Sequence, residues 1–432
     1  MAKKLARLKL FPLLLVLVAV MVTVAACGQT QSPSPSASAK PSTSAQPSAS
    51  ASTAPSASAS TQPSSSAAAK TPIKIGFVTA YSGPFAEIGP ALEAGSRVAL
   101  EELGGSIDGH PVQLIPKDDK NDPAAGVAVS RELIEKDQAD IVIGPSMTGV
   151  AAATMQIYTD AKVPQLIIGS AKQVIDPKYP YAYRVTYNTD QQADMLIPYI
   201  VNKLGKKKIG IMIVDDALGT SQGAAAQNAL KNLGLKETGL EKMKTGDTDV
   251  TGQMNRLKSA GTDGVFLYAS GPDGAAAVRA MRDVGLQAPV VAHSGIALAS
   301  FPKLVEGIDI SQVYATYHTP MARPISDKVQ KFAKTIADKV YKGGDHKNTL
   351  SLEGLTYDAI YVIQEAVRQS GGKTDRASLA AGLKKITGFQ GLMGKVDFSK
   401  SNEGWPVENI TPIKVNTWDG KTGTFEKAPG AQ

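Results

Sequence analysis

The chain has 432 residues and a mass of 45.1 kDa, and its 46 Lys and Arg residues outnumber its 39 Asp and Glu residues. Hydrophobic residues make up 43% and charged residues 20%, which excludes a wholly disordered or fibrous chain. The single cysteine excludes an intramolecular disulfide framework, a four-cysteine zinc site and a CxxC redox pair.

The N-terminus has the pattern of an export signal. Positions 1–9 contain four basic residues, and positions 10–24 carry no charge. This apolar run is shorter than the ~20 residues that a membrane-spanning helix needs. Residues 24–28, Val-Ala-Ala-Cys-Gly, are typical of a lipoprotein cleavage site, so residues 1–26 are predicted to be a signal peptide and Cys27 a lipidated N-terminus. The alternative is an ordinary signal peptide with an incidental cysteine.

Residues 27–72 are predicted to form a lipid-anchored, disordered stalk. Of residues 28–70, 15 are Ser, 11 are Ala and 6 are Pro, and none is aromatic, Leu, Ile, Val or Met. Such a segment cannot bury enough apolar surface to offset the entropy lost on ordering. A stalk of this length predicts a protein tethered to the outer face of a cell membrane, in a bacterium with a thick wall.

The excess positive charge lies in this N-terminal part. Residues 1–72 contain six basic residues and no acidic one, so residues 73–432 hold 40 Lys and Arg against 39 Asp and Glu. The folded part is therefore nearly neutral, and the pI of about 9.1 does not indicate a nucleic-acid partner.

From residue 73 onward, short apolar runs alternate with amphipathic helical patterns. Strands are predicted at 73–79, 112–116, 141–144, 165–168, 182–185, 209–214, 264–269, 290–292 and 313–317, with short pieces at 394–398 and 413–418. Helices are predicted at 91–103, 123–136, 222–233, 274–284, 325–341, 350–370 and 375–385. This alternation predicts an α/β protein with parallel-rich sheets, and about ten strands exceed one ordinary open sheet, so two lobes are expected.

Two neighbouring strand ends present small and hydroxyl residues. The strand at 141–144 is followed by Pro145, Ser146 and Thr148, and a small-residue helix opens at 150–155. The next strand is followed by Ser170. Ligands of open α/β sheets bind beyond the carboxyl ends of the strands, and a helix N-terminus suits a carboxylate. The alternative interpretation is that Ser146 or Thr148 caps the helix.

Several motifs in order resemble one known family: Ile75-Gly76-Phe77, Tyr81-Ser82-Gly83-Pro84, Ile107-Asp108-Gly109, Lys117-Asp118-Asp119, Asp122-Pro123, Ile143-Gly144-Pro145, Asp216-Ala217-Leu218-Gly219, Gly285-Leu286 and Met393-Gly394. With them, residues 73–420 resemble the substrate-binding proteins of branched-chain amino acid ABC transporters, the leucine/isoleucine/valine-binding type. The resemblance implies a type I periplasmic binding protein fold, in which two Rossmann-like lobes are joined by three crossovers and close over a solute.

The resemblance also implies where the lobes divide. The crossovers are expected near residues 183–187, 317–322 and 398–401. Lobe 1 would comprise residues 73–185 plus 322–398, and lobe 2 residues 186–318 plus 400–425. The implied partners are a small solute, the permease subunits of an ABC transporter and, through the lipid anchor, the membrane.

The family's site residues are carried over position by position. Thr148 matches the hydroxyl residue that receives the amino-acid head group, and Ser170 matches the backbone position in the next turn. Where the family has a threonine, a tyrosine and an acidic residue, this chain has Lys172, Leu218 and Ser294. The predicted ligand-binding set is Tyr81, Ser146, Thr148, Ser170, Lys172, Leu218, Ser270, His293 and Ser294. No metal and no cofactor are expected.

These departures bear on the ligand. A zwitterionic amino acid needs an acceptor for its ammonium group, because an unpaired buried charge is costly. The sequence places Ser294 where that acceptor is expected and adds a cation at Lys172. The hypothesis is that the ligand is a carboxylate without an α-amino group, such as an aromatic or short aliphatic acid. The alternatives are an amino-acid ligand and a Lys172 side chain that points to solvent.

The sequence does not indicate an enzyme. It has no GxSxG, HExxH or complete P-loop motif and no GxGxxG after a strand, and its four histidines lack metal-ligand spacing. The acidic run at 118–122 lacks the glycine and glutamate of a calcium-binding EF-hand loop and is interpreted as a turn that starts a helix at Asp122-Pro123. The alternatives to transport are a ligand-sensing receptor lipoprotein of the same fold and a hydrolase, which these absent motifs disfavour.

Overall fold

A computed structural model describes residues 70–431 of the chain, with the side chain of Pro84 excepted. The predicted signal peptide and Cys27 lie outside the described residues, as does nearly all of the predicted stalk. The described part contains two six-stranded sheets, each parallel except for one edge strand, with helices packed against them. The α/β prediction with two parallel-rich sheets is therefore confirmed.

The first sheet has the strand order β2-β3-β1-β4-β5-β6, and only β2 runs antiparallel to its neighbour. Its strands are β1 (Ile73–Thr79), β2 (Ser106–Ile107), β3 (His110–Asp118), β4 (Ile141–Ile143), β5 (Gln165–Ile167) and β6 (Ala182–Arg184). Its associated helices are α1 (Ile88–Glu102), α2 (Pro123–Glu135), α3 (Thr148–Asp160), α10 (Leu350–Gln369) and α11 (Arg376–Lys384). The side chain of Asp122 accepts the backbone N–H of Ala125 at the start of α2, which confirms the predicted helix start.

The second sheet has the strand order β15-β11-β10-β9-β7-β8, and only β15 is antiparallel. Its strands are β7 (Ile209–Val214), β8 (Gly239–Met243), β9 (Gly264–Tyr268), β10 (Val290–Ala292), β11 (Val313–His318) and β15 (Ile410–Lys414). Its associated helices are α4 (Thr189–Pro198), α5 (Ala217–Asn232), α6 (Thr251–Ser259), α7 (Gly271–Asp283) and α8 (Phe301–Leu304). The remaining elements are α9 (Asp327–Lys339) and the short pairs β12 (Ala322–Arg323) with β16 (Phe425–Glu426) and β13 (Phe389–Gln390) with β14 (Lys395–Val396).

All nine main predicted strands and all seven predicted helices are present, with ends that shift by at most five residues. Of the two short pieces, 394–398 is reduced to β14, and 413–418 overlaps the end of β15. The elements that the sequence did not predict include β8, α4 and α6. Strand β8 lies at the sheet edge, where Glu241 and Lys242 interrupt its apolar pattern. Helix α4 begins with a capping box formed by Asn188 and Gln191, a signal that is visible in the sequence.

Helices α1 and α10 pack closely, although they lie far apart along the chain. A Cβ atom on Gly95 would lie 1.8 Å from the backbone oxygen of Glu353, so only glycine permits this approach. The buried residues of α10 continue the core of the first sheet through Leu355, Ala359 and Ile363. The first sheet is therefore covered by a segment from the C-terminal third of the chain.

An ion pair between a buried arginine and a half-buried glutamate joins the first sheet to the chain segment that precedes β15. The side chain of Arg184, at the end of β6, is inaccessible to solvent, and its Nε lies 2.7 Å from a carboxylate oxygen of Glu403. Its guanidinium also donates hydrogen bonds to the backbone oxygens of Gly169 and, at 2.8 Å, Ala171. Arg184 therefore holds the loop after β5 and the segment around Glu403 in one arrangement.

Arg184→Leu is expected to lower the free energy of unfolding by about 3–5 kcal/mol, because it leaves the Glu403 carboxylate and two backbone oxygens without their partner. Chemical denaturation of the wild type and variant would measure the loss. The matched control is Arg256→Leu, which removes an exposed pair with Glu241 and should change stability far less. Equal losses in the two variants would contradict a special role for Arg184.

Candidate functional site

A cavity of about 390 Å³ lies where the carboxyl ends of the two sheets face each other. The loops after β4, β5 and β6 contribute to one wall, and the loops after β7, β9 and β10 contribute to the other. Its volume is in the range of small-molecule sites. Seven of the nine predicted ligand-binding residues line it: Ser146, Thr148, Ser170, Leu218, Ser270, His293 and Ser294.

The first wall is built on the turn after β4. Gly144 has φ = +104°, and a Cβ atom there would lie 2.2 Å from the backbone oxygen of Val78, so the turn requires glycine. The turn brings Ser146 to the cavity, where its hydroxyl lies 2.9 Å from that of Thr79. Helix α3 then begins at Thr148, and its first turn points at the cavity with open space beside Gly149.

The N-terminus of α3 has no side-chain cap. Its N-cap residue is Met147, which makes no side-chain hydrogen bond, so the alternative that Ser146 or Thr148 serves as a cap is wrong. The Thr148 hydroxyl instead accepts the backbone N–H of Ala171 at 3.3 Å and keeps its own hydrogen to donate. The first N–H groups of a helix lack intrahelical partners and carry partial positive charge. This wall therefore suits a carboxylate.

Two predicted residues do not line the cavity. The Lys172 ammonium forms an ion pair with Asp190, and its side chain is 65% exposed. That hydrogen bond raises the pKa of Lys172, so the cation is already balanced outside the cavity. The Tyr81 hydroxyl donates to Glu93 and lies in a separate surface depression. The positive charge that the sequence suggested for the site is absent from the cavity lining.

Two aspartates that the sequence reasoning missed line the second wall. Asp216 precedes α5 and accepts the backbone N–H of Gly219 at 2.6 Å, and Asp273 in the first turn of α7 accepts that of Gly246 at 2.9 Å. Partial desolvation raises the pKa of both carboxyls above the ordinary value of 3.8, and the negative charges of Asp247 and Asp216 raise that of Asp273 further. A cation near Asp216 and Asp273 would relieve this repulsion. Their positions at helix starts were the signal available in the sequence.

His318 lies where the three connections between the sheets meet. Its ring centroid is 4.8 Å from that of Tyr187, after β6, and 5.9 Å from that of Trp405, before β15. Its Nδ1 lies 3.0 Å from the hydroxyl of Ser351 in α10. Burial lowers the pKa of His318 to about 3, so the ring is neutral at physiological pH. His318 also lines the cavity, and it thereby connects the cavity with the junction of the two halves.

The rest of the lining is mainly apolar, and the cavity rim is closed by contacts between the halves. The larger apolar side chains of the lining include Phe85, Ile88, Leu92, Leu298, Leu352 and Leu355. At the rim, the Gln173 amide donates to the backbone oxygen of Ala217 at 3.4 Å, and the Ser300 hydroxyl donates to Glu87 at 3.3 Å. The cavity can therefore enclose a small ligand with polar ends and an apolar body.

Among residues 70–431, no group of three or more His, Cys, Asp or Glu side chains is arranged to hold a metal ion. In the same part of the chain, no helix combines the length and the apolar character needed to cross a membrane.

The family model described as periplasmic binding protein matches residues 72–422 of this chain. An amino acid binding protein from Pseudomonas aeruginosa is 27% identical over 368 residues, which cover 83% of this chain and 92% of that protein. The branched-chain amino acid transporter substrate binding protein LivJ of Streptococcus pneumoniae, solved with isoleucine, has a TM-score of 0.69 and 21% identity, and the match covers 84% of this chain and 99% of that one.

An ABC-transporter solute binding protein from Rhodopseudomonas palustris, solved with 4-hydroxybenzoate, has a TM-score of 0.70 and 24% identity, with 83% of this chain and 96% of that chain covered. The two structural matches show that the fold is shared. The resemblance inferred from the sequence motifs and the type I periplasmic binding protein fold that it implies are thereby confirmed.

A buried carboxyl lies on the helix that carries part of the cavity lining. Glu353 of α10 is inaccessible to solvent; one of its oxygens accepts the Tyr341 hydroxyl at 2.8 Å, and the other has no hydrogen-bond partner. Burial raises the pKa of Glu353 from 4.5 to about 8. The unfolded chain therefore loses this proton at lower pH than the folded protein does, and stability falls between about pH 4.5 and 8.

Glu353→Gln is expected to remove the fall in stability that deprotonation of Glu353 causes. The variant should gain stability relative to the wild type as the pH rises from 5 to 8, by at most about 1.4 kcal/mol for each pH unit. Denaturation curves at several pH values would show it, with the exposed Glu306→Gln as control. A stability difference that does not change with pH would contradict the assignment.

Proposed function

Because the chain belongs to the periplasmic binding protein family, we propose that it is an extracytoplasmic solute-binding protein of an ABC transporter. In this proposal, the chain captures a small amino acid or a related carboxylate in the cavity and delivers it to the permease subunits. It acts by binding and not as an enzyme.

The two sheets support the lobe division expected from the sequence. Strands β1 to β6 fall within residues 73–185. Helix α10, which packs with α1, and helix α11, which packs with α10, fall within 322–398. Strands β7 to β11 and β15 fall within 186–318 and 400–425. In our proposal these are the two lobes, and an opening motion breaks the rim contacts of Gln173 with Ala217 and of Ser300 with Glu87.

Adjacent permease and ATPase genes would favour transport over the sensing alternative.

The observation that carries the ligand assignment is the pairing of opposite polarities across the cavity. The uncapped start of α3 and the Thr148 hydroxyl suit a carboxylate, and Asp216 and Asp273 on the other wall suit an ammonium group. The apolar lining between them suits an aliphatic or aromatic body. We therefore favour an amino acid over a carboxylate without an amino group. The two aspartates supply the ammonium acceptor that is missing at Ser294, and Lys172 lies outside the cavity and adds no positive charge to it.

The relatives fit either ligand class and do not choose between them. The Pseudomonas aeruginosa relative is named an amino acid binding protein, and LivJ was solved with isoleucine. The Rhodopseudomonas palustris protein was solved with 4-hydroxybenzoate. Non-amino carboxylates are therefore the second candidate class, and the binding experiment includes them.

Membrane attachment is part of the proposal. Lipidation of Cys27 would hold the chain at the outer face of the cell membrane, and residues 28–72 would span the distance to the folded part. This arrangement would keep the binding protein near its permease.

Residues 28–432 are expected to bind an amino acid, which calorimetry and thermal unfolding would detect. A ligand at 100 times its Kd stabilises the folded state by about 2.7 kcal/mol. Asp216→Asn should weaken amino-acid binding at least 10-fold, because it removes a charge that faces the ammonium group.

The matched control is Asp215→Asn, which alters the neighbouring exposed aspartate that pairs with Lys242. If benzoate-like acids bind and amino acids do not, the second ligand class is correct. If neither class binds, the proposed function fails.

Cys27→Ala is expected to abolish incorporation of a labelled fatty acid and to move the chain from the membrane fraction, with no effect on solute affinity. The unchanged affinity follows because the residues that line the cavity all lie between Phe85 and Leu355. Retention of the label in the variant would contradict lipidation at Cys27.

A further inference from the structure

The side chain of His293 occupies a fixed position on the second wall. It follows β10, is only 8% exposed, and packs edge-on against Tyr268 with ring centroids 5.1 Å apart. The turn that holds it is tight, because a Cβ atom on Gly295 would lie 2.0 Å from the Ser270 hydroxyl oxygen and 3.0 Å from Nδ1 of His293. The ring therefore has little freedom to rotate.

The hydrogen bonds of His293 define which nitrogen carries its proton. Nδ1 accepts the backbone N–H of Gly295 at 2.8 Å, and a ring nitrogen that accepts a hydrogen bond carries no hydrogen. Burial lowers the pKa of His293 to about 4, so the ring is neutral near pH 7 and its one hydrogen is on Nε2. Among residues 70–431, Nε2 has no hydrogen-bond partner, although the ring lines the cavity. Nε2 can therefore donate a hydrogen bond to a ligand atom in the cavity.

The surroundings exclude a negatively charged acceptor. Tyr268, against which His293 packs, donates its hydroxyl to Asp216 at 3.3 Å, and Asp273 lies on the same wall. A ligand carboxylate would be repelled by these two aspartates, whereas an uncharged oxygen would not. The same wall thus places the His293 donor beside two carboxylate acceptors.

We propose that the ligand is an amino acid with a side-chain carboxamide, whose oxygen accepts the hydrogen bond from His293 Nε2. The carboxamide NH₂ and the α-ammonium group would then each donate to one of the two aspartates. This rests on the proposed function, because it assumes that the cavity binds an amino acid. A site that is built to hydrogen-bond a ligand rejects an isosteric analogue that lacks the group.

Asparagine and leucine have similar shapes and differ in the amide, so they form a matched pair. Calorimetry on residues 28–432 should give at least 10-fold tighter binding of asparagine or glutamine than of leucine. His293→Asn keeps an acceptor near the position of Nδ1 and removes the donor, so the preference should disappear. His293→Gln restores a donor near Nε2 and should restore part of the preference. His346→Asn, at a buried histidine outside the cavity lining, is the control.

The wild-type protein provides a test that does not depend on variants. Imidazole ¹⁵N NMR should show hydrogen on Nε2 of His293, with a shift when asparagine binds and a smaller one with leucine. Equal affinity for leucine and asparagine, or an unchanged preference in His293→Asn, would overturn this inference and leave the proposed function intact. Absence of binding by every amino acid and acid would instead overturn the proposed function.

Discussion

The geometry of the cavity depends on the ion pair and hydrogen bonds of the buried Arg184 guanidinium. The guanidinium neutralises Glu403 and binds the backbone oxygens of Gly169 and Ala171, which flank Ser170 in the first wall. A charge out of contact with water is tolerated only when its hydrogen bonds are made, so this arrangement admits little variation. The same bonds that fix the wall also fix one of the connections between the sheets. The shape of the cavity and the path of the chain between its halves therefore have a common anchor.

Much of the fold could be predicted because its central strands are buried on both faces and read as continuous apolar runs. Strands β1, β7 and β10 were predicted with their observed ends. Elements at the edge of the second sheet escaped prediction, because a half-exposed strand such as β8 carries charged residues and resembles a loop. Helix α6 is short and polar, so its burial depends on neighbours that sequence periodicity does not reveal.

The candidate site was predictable on one wall and largely hidden on the other. The residues Ser146, Thr148 and Ser170 stand out because small hydroxyl residues directly follow two predicted strands. Asp216 and Asp273 carry ordinary helix-start signals, and only the folded structure shows that they share a cavity. Lys172 was predicted in the site but lies outside the cavity lining. Its partner Asp190 is 18 residues away along the chain, and their ion pair holds the ammonium group outside the cavity. The chemistry of a site formed by distant segments depends on contacts that local patterns do not contain.

The packing of α1 against α10 makes the order of synthesis matter for folding. Helix α1 ends at Glu102, but the helix that covers it begins only at Leu350, so a nascent chain leaves this apolar surface open for most of its elongation. The run from α4 to β11 is continuous and lacks only β15 to complete its sheet. The central part of the chain can thus acquire structure early. The half that contains the first sheet is synthesised first, but it is complete only after α10 has been synthesised. Closing so large a loop costs entropy and slows folding.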